Sequence, residues 1–317
     1  MKTLAIYISN YNILGGVERF CENFCKRMSK HYEITFFYDW CENENMLFEM
    51  SEFVDVVKID KTKKYQFDYF VNSTAWGFSP YDNILAKKVV QVVHADYRHV
   101  IANWNFKYIK HKNTTHHVCV GEIVKEAFEI ATPYKCDAVI YNLLDNTIVL
   151  ELKQKNDILH LVTLSRLSGE KGFKRMLQMC DQMQNIDYVW NVYGNIQTPF
   201  AKSIVNSFKK YPKVIFHGVT REPFKEINKA DYLVQLSDTE GFAYSVYEAM
   251  QVKTPCIITP FASGKEQITN GLNGWIVPFD INNIQWDDIL KRNLAVPNFK
   301  ELGREEDWIK LLENGKT

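Results

Sequence analysis

Short apolar runs broken by turn residues recur along the chain and predict strands at Thr3–Ser9, Ile34–Tyr38, Phe67–Asn72, Val89–Val93, Val118–Val120 and Ala138–Tyr141. The Val89–Val93 run is nearly all valine and suits a strand buried on both faces. Val17–Met28 reads as a helix between the first two strands, so the chain opens as a βαβ unit. From Leu159 the alternation becomes regular. Strands are expected at Leu159–Leu164, Tyr188–Tyr193, Val214–Phe216, Tyr232–Leu236, Cys256–Thr259 and Trp275–Val277, with helices such as Phe173–Gln184 and Phe200–Lys210 between them. Strict βα alternation gives parallel sheets covered on both faces, hence an α/β protein. The polar segment Asn146–Asn156 reads as a linker, which places one Rossmann-like domain at 1–150 and a second at 151–298. A last helix is expected at about Glu305–Glu313, within a terminal segment 299–317.

With 317 residues, 46% hydrophobic and 14% aromatic, the chain has enough apolar surface for two cores. Its formal net charge is zero, so no global field draws it to nucleic acid. Seven cysteines, odd in number and without a Cys-x-x-Cys pair, point to reduced thiols in a cytoplasm. The apolar run at Leu4–Ile8 is too short for a signal sequence, and no segment reaches the ~18 apolar residues that a membrane span needs. Any membrane contact is therefore expected to be peripheral, at the inner face of the plasma membrane.

Polar residues gather where strands give way to helices. Glu240 follows the strand at Tyr232–Leu236, and ligands of open α/β sheets bind at that edge. Gly241 permits close approach, and the N–H groups near Phe242 and Ala243 open the next helix, where an anion is favoured. On that helix Ala243, Val246, Tyr247 and Met250 form an apolar stripe; Glu248 is off it and, by wheel geometry, reads as a solvated carboxylate. Arg166 and Lys171 lie beside another helix start, where the macrodipole disfavours cations unless an anion sits between them. Pairing of Arg166 with Glu170 is the other reading. Gly15-Gly16 is either a tight turn or a loop that lets backbone N–H groups reach a phosphate. His94, at the end of a buried strand, is either a structural histidine or part of a site. Between Tyr97 and Gly121 there is no acid, while Arg98, Lys107, Lys110 and Lys112 accumulate with four histidines and Trp104, Phe106 and Tyr108. That run is either a solvated face or a surface for an anionic acceptor or acidic lipid headgroups.

Glu240-Gly241-Phe242, the Glu-x7-Glu spacing to Glu248, Glu-Ala-Met and Thr-Pro-Cys-Ile resemble the donor-site signature of family 4 retaining glycosyltransferases of GT-B fold. Arg166-Leu-x-x-x-Lys171-Gly, Gly15-Gly16-Val-Glu-Arg-Phe, Val-Val-His94-Ala-Asp and the strand end Phe216-His-Gly-Val219 resemble further segments of that family. The resemblance is dense from Leu159 to Pro278 and thinner before it. It implies two Rossmann-like domains facing each other across a cleft, the last helix returning to the first. It also implies Glu240 on the donor sugar, Glu248 on the ribose, Arg166 and Lys171 on the diphosphate, backbone near Val219 on the base, Gly15 and Gly16 facing the diphosphate, and His94 beside the reacting sugar. The implied reaction moves a sugar from a nucleotide-diphosphate donor, with a UDP-sugar expected, to a glycan or lipid-linked glycan acceptor, as in cell-envelope polysaccharide or glycoconjugate synthesis. No further cofactor is implied. The chain holds no Asp-x-Asp pair, which fits metal independence. The chain departs from the pattern at three places: Ser165 and Lys253-Thr254 where glycine is common, and Gly121 where serine is common. A nucleotide-sugar epimerase and a non-catalytic GT-B partner subunit are the alternatives.

Overall fold

The computed structural model describes residues 1–12, 15–74, 80–104, 106–145, 147, 158–290, 294 and 296–314. The chain divides into two units, Met1–Thr147 with Glu301–Thr317, and Ile148–Lys300.

In the first unit the strands are Lys2–Asn10 (β1), Tyr32–Trp40 (β2), Asp55–Lys58 (β3), Tyr65–Asn72 (β4), Ile84–Val93 (β5), His116–Cys119 (β6) and Ala138–Val139 (β7). Helices Gly16–Met28 (α1), Glu44–Ser51 (α2), Tyr97–Trp104 (α3) and Glu122–Ala131 (α4) lie between them. All pairs are parallel, in the order β3-β2-β1-β4-β5-β6-β7. The centre of β1 and the carboxyl-terminal half of β5, Val89–Val93, are buried on both sides, as helices on both faces require. β3 was not foreseen because none of its side chains is fully buried, so no apolar run marks it.

The second unit has strands Leu159–Leu164 (β8), Tyr188–Tyr193 (β9), Val214–Gly218 (β10), Tyr232–Gln235 (β11), Cys256–Ile258 (β12) and Gly274–Ile276 (β13). Its helices are Phe173–Gln182 (α5), Pro199–Ser207 (α6), Pro223–Asn228 (α7), Tyr244–Gln251 (α8), Gly264–Gln267 (α9) and Trp286–Leu290 (α10). The sheet is again parallel, in the order β10-β9-β8-β11-β12-β13. In both sheets the order reverses at one place, beside β1 and β4 in the first and beside β8 and β11 in the second. Each unit is thus a doubly wound Rossmann-like fold with its own switch point.

The last helix, Glu305–Asn314 (α11), belongs to the first unit. Trp308, Leu311 and Leu312 form its apolar face at helical spacing, and Trp308 packs edge-on against Phe24 of α1 at 4.9 Å between centroids. Arg27 of α1 is almost buried and bonds Glu301, Glu305 and the Leu144 carbonyl. Burial of the guanidinium is tolerable because two carboxylates and a carbonyl accept from it. The changeover between units falls between Lys300 and Glu301, two residues beyond the expected 298. Asn298 accepts from Lys253 and the Phe299 ring meets Tyr247 in the second unit, whereas Glu301 accepts from the Leu144 amide in the first. Of the expected linker, only Thr147 is among the described residues; its amide and hydroxyl bond Asp145.

Candidate functional site at the second switch point

The loops leaving β8 and β11 are neighbours at the switch point of the second sheet, because the two strands pair although Tyr188–Tyr193 and Val214–Gly218 separate them in the chain. The β8 loop carries Arg166, a 3-10 turn at Gly169–Lys171, and Gly172. Gly172 has φ +73°, and a Cβ there would stand 1.7 Å from the Leu236 carbonyl oxygen. Only glycine allows this approach, which brings Lys171 against the β11 loop. Arg175, on the first turn of α5, fastens the same loop: its guanidinium bonds the Leu236 carbonyl at 2.9 Å, Asp238, and the Phe279 carbonyl at 3.0 Å. The Asp238 amide in turn donates to the Glu170 carbonyl at 2.7 Å.

At the centre, Lys171 Nζ lies 2.7 Å from each oxygen of the Glu240 carboxylate. The side chains are only 11% and 13% exposed, so this is a shielded charge pair and not a surface bridge. Glu240 Oε1 also accepts from Ser237 Oγ at 2.8 Å and from Gln235 Nε2 at 2.9 Å. Arg166 behaves differently. Its guanidinium is 60% exposed and lies 3.4 Å from Glu170 Oε1, the surface pairing that the sequence allowed. Burial works against the charge of Glu170, but the Ser168 hydroxyl at 2.7 Å, Lys171 and Arg166 together hold its carboxyl below the usual range. The structure therefore joins Lys171 to Glu240 and leaves the Arg166 fork facing solvent beside them.

Glu248 is buried, at 4% exposure, which overturns the solvated reading from the wheel. The wheel shows which positions share a stripe but not how many sides are covered. α8 packs on β11, β12, α7 and α9, so its apolar stripe is not its only inward face. A buried carboxylate must be met by polar groups. The N-cap residue of α8 is Ala243, whose side chain cannot cap it, next to Gly241 and Phe242, and Phe242 is buried edge-on against Tyr247 at 4.9 Å. Val219 follows β10 and is largely exposed, just after Gly218, whose φ is +85°.

The remaining site residues lie in the first unit. Gly15 has extended backbone angles that any residue adopts, so conformational freedom is not why it is glycine; its amide donates to Glu18 at 3.1 Å. Gly16 opens α1. His94 follows β5, its ring edge-on to Phe20 at 4.7 Å. Burial pushes its pKa down to about 3, and Nε2 has no hydrogen-bond partner among the described residues. The stretch after Tyr97 differs from the expected aromatic surface, since Tyr97, Tyr108 and His117 turn inward around Phe128. Tyr108 Oη and His117 Nε2 are 2.9 Å apart. Among the residues that the segment exposes are Lys107, Lys112 and Ile109, the last at 71%. Arg98 is engaged by Asp96 at 3.3 Å.

Gln235 and Arg175 escaped the sequence reading, while Gly172 and Ser237 stand at the edges of its key stretches without an assigned role. Gln235 left one signal, an amide closing the otherwise apolar strand Tyr232-Leu233-Val234. Arg175 left none, because its partners are Leu236, Asp238 and Phe279, all distant in the chain. Among the described residues no group of three or more His, Cys, Asp or Glu side chains could hold a metal ion, and no helix is long and apolar enough to cross a membrane.

Residues 148–302 match the family described as Glycosyl transferases group 1. No curated protein matches the sequence. Among solved structures the chain is similar to sucrose-phosphate synthase from Thermosynechococcus elongatus, at TM-score 0.70 and 13% identity over 92% of this chain and 89% of that one. It is also similar to HepE from Anabaena in complex with UDP and glucose, at TM-score 0.67 and 14% identity, covering 89% of this chain and 88% of that one. The apo lipopolysaccharide outer core galactosyltransferase WaaB is similar at TM-score 0.60 and 17% identity, over 94% of this chain and 92% of that one. At these identities the likeness defines the fold.

Proposed function

We propose, from the premise that the chain has the GT-B fold and that its residues 148–302 are a glycosyl transferases group 1 domain, that this protein is a retaining glycosyltransferase using a nucleotide-diphosphate sugar. The observation that carries the reading is the shielded Lys171–Glu240 pair at the switch point, with the Arg166 fork open beside it. A cation suited to phosphate oxygens and a carboxylate suited to sugar hydroxyls are thereby held in direct contact. A sugar bonded to a phosphate likewise presents hydroxyls and phosphate oxygens side by side. A UDP-sugar is the donor we propose, in keeping with the UDP and glucose bound by HepE.

In this reading the bond between the anomeric carbon and the diphosphate oxygen breaks. The acceptor hydroxyl bonds to that carbon on the same face, and its proton passes to the departing phosphate oxygen. Arg166, Lys171 and the N–H groups at the start of α8 stabilise the charge growing on the diphosphate, so neither a side-chain base nor a metal ion is required. Glu240 orients the sugar, Glu248 meets the ribose, and backbone at Val219 meets the base. His94, neutral at pH 7, contributes hydrogen bonding and not proton transfer. The acceptor is a glycan or lipid-linked glycan of cell-envelope polysaccharide or glycoconjugate synthesis. The segment with exposed Lys107, Ile109 and Lys112 and half-buried Lys110 rests on an acidic membrane surface.

Donor-hydrolysis and transfer assays across UDP-, GDP- and dTDP-sugars, with and without glycan acceptors and with product anomers read by NMR, test the proposal. Turnover of a nucleotide sugar with retained configuration is expected. Binding without turnover would return the chain to a non-catalytic partner subunit, and epimerised free donor would make it an epimerase.

A further inference from the structure

Gln235 closes β11, where the other three strand residues are apolar and buried, and its own side chain is buried as well. An apolar side chain would fill that place without the desolvation cost of a primary amide, so the amide must recover its cost through its partners. They are specific. Nε2 donates to Ser237 Oγ at 2.6 Å and to Glu240 Oε1 at 2.9 Å, and Oε1 accepts from Ser245 Oγ at 3.5 Å. The amide orientation is fixed by chemistry, since a carboxylate only accepts and must face the NH2 end. Ser237 then uses its own hydrogen toward the same Glu240 oxygen at 2.8 Å. The result is one directed chain from α8 through β11 to the β11 loop, ending on a single carboxylate oxygen.

Glu240 Oε1 thus receives Gln235, Ser237 and Lys171, while Oε2 receives Lys171 alone among these groups. We propose that Gln235, with Ser237, is a positioning residue that pins Oε1 of Glu240 to the protein and thereby commits Oε2 to the hydroxyls of the donor sugar. This rests on the donor-site reading above and goes beyond it by assigning the two carboxylate oxygens different tasks. Without Gln235 the carboxylate can rotate about its last bond and share Lys171 in several poses, and loss of a productive pose costs catalysis more than it costs nucleotide binding.

Gln235→Met keeps length and volume and removes both amide partners. It is compared with wild type, Glu240→Gln and the double variant, in UDP calorimetry, thermal unfolding and turnover of whichever nucleotide sugar wild type uses. Turnover is expected to fall by about tenfold to a hundredfold in Gln235→Met, with UDP affinity and unfolding temperature near wild type. The double variant is expected to fall no further than Glu240→Gln alone, because both changes remove one function. Wild-type turnover in Gln235→Met, or equal factors lost with and without Glu240, would overturn the assignment. So would a parallel loss of UDP affinity. Should Gln235→Met fail to fold, Ser237→Ala removes the second donor to the same oxygen and carries the same comparison. A wild type that neither binds UDP nor turns over any nucleotide sugar overturns the transferase reading itself, an outcome distinct from active wild type with an equally active Gln235→Met.

Discussion

Lys171 is bonded to Glu240, 69 residues further along the chain, and not to the adjacent Glu170. On the proposed reading, the cation meant for the diphosphate is paired with the carboxylate meant for the sugar. Binding of a donor therefore exchanges one set of partners for another, and variants of the two residues are expected to act in opposite directions on nucleotide affinity.

Glu240→Gln should reduce sugar transfer far more than it weakens binding of the free nucleoside diphosphate, which is expected to bind equally well or tighter once Lys171 is released. Glu248→Ala should weaken the nucleoside diphosphate itself, because a ribose contact persists without the sugar. Calorimetry with UDP alongside steady-state transfer separates the two. Unchanged UDP affinity in Glu248→Ala would leave that buried carboxylate a purely structural role.

Transfer should survive excess chelator, while Arg166→Ala and Lys171→Ala each cost about 2–4 kcal/mol in transition-state stabilisation, the range for removed oxyanion-stabilising groups. If Arg166 serves only its exposed pair with Glu170, its loss should cost less than about 1 kcal/mol. Activity that vanishes with chelator and returns with magnesium or manganese, together with near-normal variants, would contradict the cationic clamp.

Gly172→Ala should destabilise the second unit by at least about 1–3 kcal/mol from the left-handed backbone alone, before the contact with the Leu236 carbonyl is counted. Chemical denaturation read by fluorescence measures the loss. Nucleotide binding should weaken too, since Lys171 is the preceding residue. A variant as stable as wild type would mean that the loop relaxes freely away from Leu236.

Burial lowers the pKa of His94 to about 3 and that of His117 to about 4, against an ordinary 6.5. The unfolded chain therefore takes up protons below pH 6.5 that the folded unit refuses. The stability of neutral burial is fully present above about pH 6.5 and is lost as pH falls toward 4, at up to about 1.4 kcal/mol per pH unit for each group. Denaturation midpoints from pH 7.5 to 4.5 should fall, and more gently in His94→Gln. Neither histidine changes charge between pH 7 and 8, so the shape of the transfer pH profile there should match wild type even where the variant is slower.

Replacing Lys107, Lys110 and Lys112 together by Ser should lower binding to vesicles of anionic lipid in a salt-sensitive manner and leave UDP affinity intact. Flotation at low and high salt reads it directly. Binding indifferent to both the replacements and the salt would mark these lysines as an ordinary solvated face.

The chain's own periodicities determined the strands from Thr3 to Val277 except β3, the helix at α11 and the α/β alternation, because burial in these elements follows spacings of two or three to four residues. They also located Glu240, Arg166, Lys171 and His94 at strand ends, where parallel sheets bind ligands. Which strand end meets which is not a local property. Pairing of β8 with β11 across the reversal of strand order brought Lys171 to Glu240, and the close approach at Gly172 decided the distance. Glu248 looked solvated because a wheel carries one helix only, and α7, α9 and two strands cover the rest. Tyr108 looked like surface because it stands among lysines, yet its hydroxyl finds His117 nine residues on. Spacing along the chain sets a residue's face, but a partner across the fold is set by sheet order, and only the tertiary structure contains that.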